Sequence, residues 1–66
     1  MAAPPPYRVG SVVRYRAADG RERVARVSYR EKRDGRPAFV GVVASGPDAG
    51  AACWGFEEAI VAVERR

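Results

Sequence analysis

The side chains with chemical promise in this chain are arginines and tyrosines. Tyr15 and Tyr29 stand among Arg14, Arg16, Arg21, Arg23, Arg26, Arg30, Lys32, Arg33 and Arg36, with Tyr7 and Arg8 just ahead of them. A tyrosine on a strand surface can stack on a nucleobase while a guanidinium group holds a phosphate, so this interleaving suits nucleic acid. The competing arrangement turns Tyr15 and Tyr29 inward beside Val13 and Val27 and leaves only a solvated basic face. Catalytic machinery is sparse. Histidine is absent and Cys53 is the only cysteine, so no Ser-His-Asp triad, Cys-His dyad or ordinary zinc site can be assembled within the chain. Ser11, Ser28 and Ser45 have no histidine to activate them, and Glu57-Glu58 suits the capping of a turn better than acid-base work. Asp48-Ala49-Gly50 lacks the Lys-Ser/Thr of a phosphate loop. Neither an enzyme nor a cofactor is expected. Cys53 reads as a small buried filler, and Trp54 as a core residue or a half-buried one on an edge strand.

The elements that position these residues must fit into 66 residues, enough for one small domain. Such a core contributes roughly 3–5 kcal/mol of net stability, and a lone cysteine without histidine supplies no disulfide or zinc staple. Packing or self-association has to compensate. Charge is distributed unevenly along the chain. From Arg8 to Arg36 ten basic residues face four acidic ones, a balance of +6, whereas Asp48, Glu57, Glu58 and Glu64 stand in a stretch from Pro37 to Glu64 that has no base. The basic half can meet nucleic acid, an acidic protein surface or the acidic half of a second copy. Eleven arginines to one lysine is also what a GC-rich bacterial genome writes at surface positions. No apolar run approaches the ~20 residues of a membrane span, and the N-terminus lacks a secretory pattern, so a cytoplasmic protein is expected.

Pro4, Pro5 and Pro6 favour an extended conformation, making residues 1–7 a flexible leader. Alternation then begins, with Val9, Ser11, Val13 and Tyr15 on one face and Arg8, Arg14 and Arg16 on the other. After the Asp19-Gly20 turn, Ala25, Val27 and Tyr29 oppose Val24, Arg26, Ser28 and Arg30. Asp34-Gly35 repeats the hairpin signal. Ala38 to Ala44 is apolar on both faces, the pattern of a fully buried strand, with Gly41 marking a bend or a close backbone approach. A loop over Ser45 to Gly50 leads to a short strand around Trp54. Phe56, Ala59, Ile60 and Val63 have helical spacing, but β-branched Ile60, Val61 and Val63 favour a single turn over Phe56 to Glu58 followed by a strand from Ala59 to Glu64.

Val9-Gly10-Ser11-Val12-Val13 as an opening strand, Arg23-Val24-Ala25-Arg26-Val27 after the first turn, and Trp54-Gly55-Phe56 leading into Ile60-Val61-Ala62-Val63 together resemble the small SH3-like barrels that include Tudor and KOW domains. The resemblance spans residues 8 to 64. It implies an all-β, five-stranded SH3-like barrel occupying residues 8–66 behind a disordered Pro-rich leader. Tudor-like domains hold methylated arginine or lysine in an aromatic cage, for which Tyr15, Tyr29, Phe39 and Trp54 are the candidates, and KOW-type relatives contact RNA or a transcription or ribosomal machine. The expected function is a non-catalytic binding module that takes nucleic acid through Arg14, Arg16, Arg21, Arg23, Arg26, Arg30, Lys32, Arg33, Arg36 and Tyr29. The alternative is a protein-interaction module, or a subunit of a homo- or hetero-oligomer docking on an acidic surface. Arginines forming a contiguous stripe favour the first; arginines paired to Glu22, Glu31 and Glu64 favour plain surface stabilisation.

Overall fold

Two-residue periodicity and Asp-Gly turns produce a single antiparallel sheet in the computed structural model, which describes residues 6–65. The strands are β1 (Val12–Arg16), β2 (Glu22–Arg33), β3 (Arg36–Val43), β4 (Ala52–Phe56) and β5 (Ile60–Arg65), with a one-turn 3-10 helix, Glu57–Ala59, between the last two. Their order is β4-β3-β2-β1-β5, and β4 and β5 are the two edges, so the sheet is open. The turn-then-strand reading of the C-terminal segment holds to within a residue. Among the described residues no helix is long and apolar enough to cross a membrane.

Asp34 (φ 52°) and Gly35 (φ 73°) supply the paired positive φ angles of a two-residue hairpin and bring Arg33 opposite Arg36. At the first turn Gly20 donates to the Ala17 carbonyl at 2.9 Å, and Ala17 donates to that of Arg21 at 2.8 Å.

The inner face buries Val13, Tyr15, Ala25, Val27, Phe39 and Ile60 as one cluster. Phe39 is its centre. Tyr15 meets the Phe39 ring edge-on at 5.0 Å and Tyr7 does so at 6.4 Å. Gly41 and Gly55 make this possible. A Cβ on Gly55 would stand 3.1 Å from the rings of Phe39 and Tyr15, and one on Gly41 would stand 2.1 Å from the Arg26 carbonyl oxygen. The close approach expected at Gly41 is therefore present. Ser11, the one buried polar residue among the described residues, is satisfied: its Oγ accepts the Arg8 N–H at 3.0 Å.

A β-bulge in β2 changes what the alternation implies. Val27 pairs with Gly41 and Tyr29 with Val40, so Ser28 is an extra residue that reverses the facing of everything after it. Tyr29, expected beside Val27, points outward and is 52% exposed, while Tyr15 is inward as the competing arrangement required. Arg30 in turn reaches the end of the core, where it lies over the Tyr7 ring at 4.9 Å.

Three further expectations are corrected. β3 is not buried on both faces along its length: on its outer face Ala38 is covered, but Val40 is only half-buried and Val42 is exposed. Val9 lies before β1 and is exposed. Of the leader, residues 1–5 lie outside the described residues, and Tyr7 is not loose: its hydroxyl donates to Glu57 Oε2 at 2.5 Å.

Candidate interaction surface

The nine basic residues expected to bind a polyanion do not form one stripe. Arg14 and Arg16 rise from the outer side of β1, beside β2 and β5. Arg26, Arg33 and Arg36 share that outer face further along β2 and β3, whereas Arg23, Arg30 and Lys32 alternate to the other side and Arg21 sits in the first turn.

Most of them already hold a carboxylate. Arg14 contacts Glu22 at 3.3 Å and Glu64 at 3.4 Å, and Arg16 contacts Glu22 at 3.4 Å. Arg23 lies between Asp19 (3.4 Å) and Asp48 (3.3 Å), and Arg30 meets Glu57 at 3.0 Å. Arg33 pairs with Glu31, and Arg36 with Glu58. Arg21, Arg26 and Lys32 have no carboxylate partner among the described residues.

These contacts set the local ionisation. The Asp19 carboxyl is held below its ordinary range, first by the Arg21 backbone N–H and then by Arg23, and hydrogen bonding to Asp19 raises Arg23. Hydrogen bonding to Glu57 likewise raises Arg30. Tyr7 is pushed up to about 12 by burial and then by its bond to Glu57, and Tyr15 to about 12 by burial and then by Cys53. Both phenols therefore stay neutral at ordinary pH.

A different constellation occupies the outer face of β2, β3 and β4. Cross-strand register aligns Tyr29, Val40 and Trp54 in one row, and Arg26, Val42 and Ala52 in the next. Trp54 was expected in the core or half-buried at an edge; it lies on an edge strand, but its ring faces outward from the core and is 43% exposed. The Arg33 guanidinium stacks on the Trp54 ring at 4.1 Å and that of Arg36 on Phe56 at 3.7 Å, with Trp54 and Phe56 edge to face at 5.3 Å. Ala38, in the row of Glu31 and Phe56 on the other side of Val40, is fully buried.

The four aromatic residues considered for a methyl-ammonium cage are split by the sheet. Tyr15 and Phe39 lie within the core and Tyr29 and Trp54 on the outer face, so no cage is formed from them. Cys53 is a half-buried neighbour of the core, at an open groove lined also by Tyr15, Ala17, Asp19 and Trp54. Among the described residues no three Cys, Asp or Glu side chains gather as a metal site requires.

Val40 and Val42 were not among the expected site residues, and Trp54 was considered only for an aromatic cage. The signal for them was Gly41 and Gly55, inner-face positions without side chains, one against the β2 backbone and the other against the Phe39 and Tyr15 rings, whose apolar neighbours alternate outward. No protein-family model, curated protein or solved structure matches this chain.

Proposed function

We propose that the chain is a non-catalytic protein-interaction module whose contact surface is the outer face of β2, β3 and β4. The observation that carries this reading is the contiguous patch of Tyr29, Val40, Val42 and Trp54, three of them prominent among the exposed large apolar side chains. Tryptophan, tyrosine and arginine are the residues most enriched at binding hot spots, and here an apolar centre is rimmed by the Arg33–Glu31 and Arg36–Glu58 pairs. Arg26, unpaired beside Val42, suits a partner that brings a carboxylate next to an apolar side chain. The strand order and the single turn before β5 support the SH3-like arrangement, in which the curled sheet surrounds Phe39 without hydrogen bonds between its edges.

Nucleic acid is the second reading, and exposed Tyr29 next to unpaired Arg26 favours it. Against it, one face of Trp54 is occupied by Arg33, and six of the nine basic residues hold carboxylates.

The test is affinity capture from a cell extract of the source organism on the immobilised chain, with Val42→Lys and Tyr29→Ser as matched controls. A protein retained by the wild type and lost by both variants is then titrated into 15N-labelled chain. Shifts centred on Tyr29, Val40, Val42 and the Trp54 indole are expected. Retention insensitive to both substitutions would overturn the proposal. So would tight binding of short labelled RNA or DNA at low salt that is weakened by Arg26→Ala.

A further inference from the structure

The two edges of the sheet are treated differently. β5 meets β1 through two register irregularities and carries Glu64 and Arg65, features that deter further strand pairing. β4, Ala-Cys-Trp-Gly-Phe, contains neither a charged residue nor a proline, and its pairing with β3 is regular from end to end.

The ladder shows which of its backbone groups are free. The tight turn makes Arg33 and Arg36 a hydrogen-bonded pair, so alternation commits the N–H and C=O groups of Ala38 and Val40 to β2. Val43 donates to the Ala51 carbonyl at 2.9 Å, which by the same alternation commits Cys53 and Gly55 to β3. The N–H and C=O groups of Ala52, Trp54 and Phe56 consequently point out from the sheet. None of them is used by β3; the Phe56 carbonyl, at the N-cap of the 3-10 turn Glu57–Ala59, is also the acceptor that opens that turn.

We infer that a second copy of this chain pairs with β4, antiparallel and two-fold about Trp54, joining the two sheets into one. Only this register engages all three edge-facing residues of both copies. It sets Ala52 beside Phe56 of the other copy on the outer face and Cys53 beside Gly55 on the inner, a smaller residue against a larger one in each off-axis pair. Trp54 meets its equivalent at the axis. The charges flanking the edge are internally paired, Arg33 with Glu31 and Arg36 with Glu58, so the net charge of +4 per chain is not concentrated at the seam. Pairing also supplies the staple that a small core with one cysteine and no histidine lacks. The inference does not depend on the partner proposed above, since the dimer is made by the backbone edge and leaves Tyr29 and Val42 accessible.

Sedimentation equilibrium between micromolar and submillimolar concentration tests it, together with amide hydrogen exchange at Ala52, Trp54 and Phe56. The expected result is a mass of twice 7.2 kDa at the upper end. Exchange at those three amides should slow at least about tenfold with rising concentration, while other exposed amides stay unchanged. Ala52→Pro removes an edge donor that β3 does not use; it should keep the circular dichroism spectrum and abolish the dimer. A mixed sample of labelled and unlabelled chains should show intermolecular contacts between Ala52 and Phe56. A monomer at every concentration, a dimer protected at β5 instead, or protected β4 amides in a monomer, meaning that another segment of the chain covers the edge, would each overturn the inference. If Ala52→Pro unfolds the chain, the contacts in the mixed sample decide.

Discussion

Adding one methyl group at each of two glycines should have very different consequences, because the obstacles differ. At Gly41 a Cβ would meet the Arg26 carbonyl oxygen at 2.1 Å and its carbon at 3.0 Å. Both are backbone atoms of the adjacent strand, held by the β2–β3 ladder, so no side-chain rotation relieves the contact. At Gly55 the nearest atoms are ring carbons of Phe39 and Tyr15 at 3.1 Å, which need to yield only a few tenths of an ångström. Neither glycine has a positive φ, so backbone strain does not enter. Overpacking costs typically ~1–3 kcal/mol, and Gly→Ala regains about 0.4–1 kcal/mol by restricting the unfolded chain. Gly55→Ala should therefore lose ~0–2 kcal/mol. Gly41→Ala should lose at least ~3 kcal/mol, comparable with the entire stability of such a domain. In urea, with a slope of about 1 kcal/mol/M, the Gly55 variant should unfold within ~2 M of the wild type, and the Gly41 variant should be largely unfolded without denaturant. A Gly41→Ala protein with a midpoint within about 1 M of wild type, or one more stable than Gly55→Ala, would refute the packing argument.

Phe39→Ala empties the centre of the core and should cost roughly 3–5 kcal/mol, read as loss of the cooperative thermal transition. Alkaline stability follows from Tyr7 and Tyr15, each raised to about 12 in the folded chain. A raised pKa stabilises the fold fully below the unfolded value near 10 and loses that contribution as pH climbs through 12, so unfolding should set in over this window. Phenolate absorbance and far-ultraviolet dichroism should change together, and Tyr7→Phe should flatten the dependence. Tyr29→Ser and Val42→Lys should each shift stability by less than about 1 kcal/mol in urea titrations, since both side chains face solvent.

What could be read from the sequence follows what is local. Both Asp-Gly turns, the five strands and the turn before β5 depend on residues a few positions apart, and each is present where expected, although the first strand begins at Val12 rather than Val9. Facing was legible only while alternation stayed unbroken. Ser28 adds one residue to β2, and nothing in Val-Ser-Tyr-Arg announces it, so Tyr29 and Arg30 exchange sides. In β4 both faces are apolar, and hydrophobicity alone assigns the largest side chain to the core. The ring of Phe39 already occupies that space, which leaves the inner positions to Cys53 and Gly55 and turns Trp54 out.

The charge imbalance along the chain is the clearest case of a property that topology reverses. Every acidic residue of the second half lands on an arginine of the first: Asp48 on Arg23, Glu57 on Arg30, Glu58 on Arg36 and Glu64 on Arg14. Strand order is the cause. β5 returns beside β1, the 3-10 turn closes against the end of β2 and β3, and the loop after β3 lies near the first hairpin. Apart from the one with Glu57, each pair is largely exposed and contributes little to stability by itself. Glu57, whose side chain is only 13% exposed and which also accepts from Tyr7, ties the N-terminal segment to the core. The larger effect is on the field around the molecule. An unopposed +6 would steer polyanions from a distance, but interleaved charge is felt over little more than the spacing of its pairs. On the reading proposed above, recognition passes to short-range chemistry, supplied on this surface by the apolar row of Tyr29, Val40 and Trp54 with unpaired Arg26 at its border.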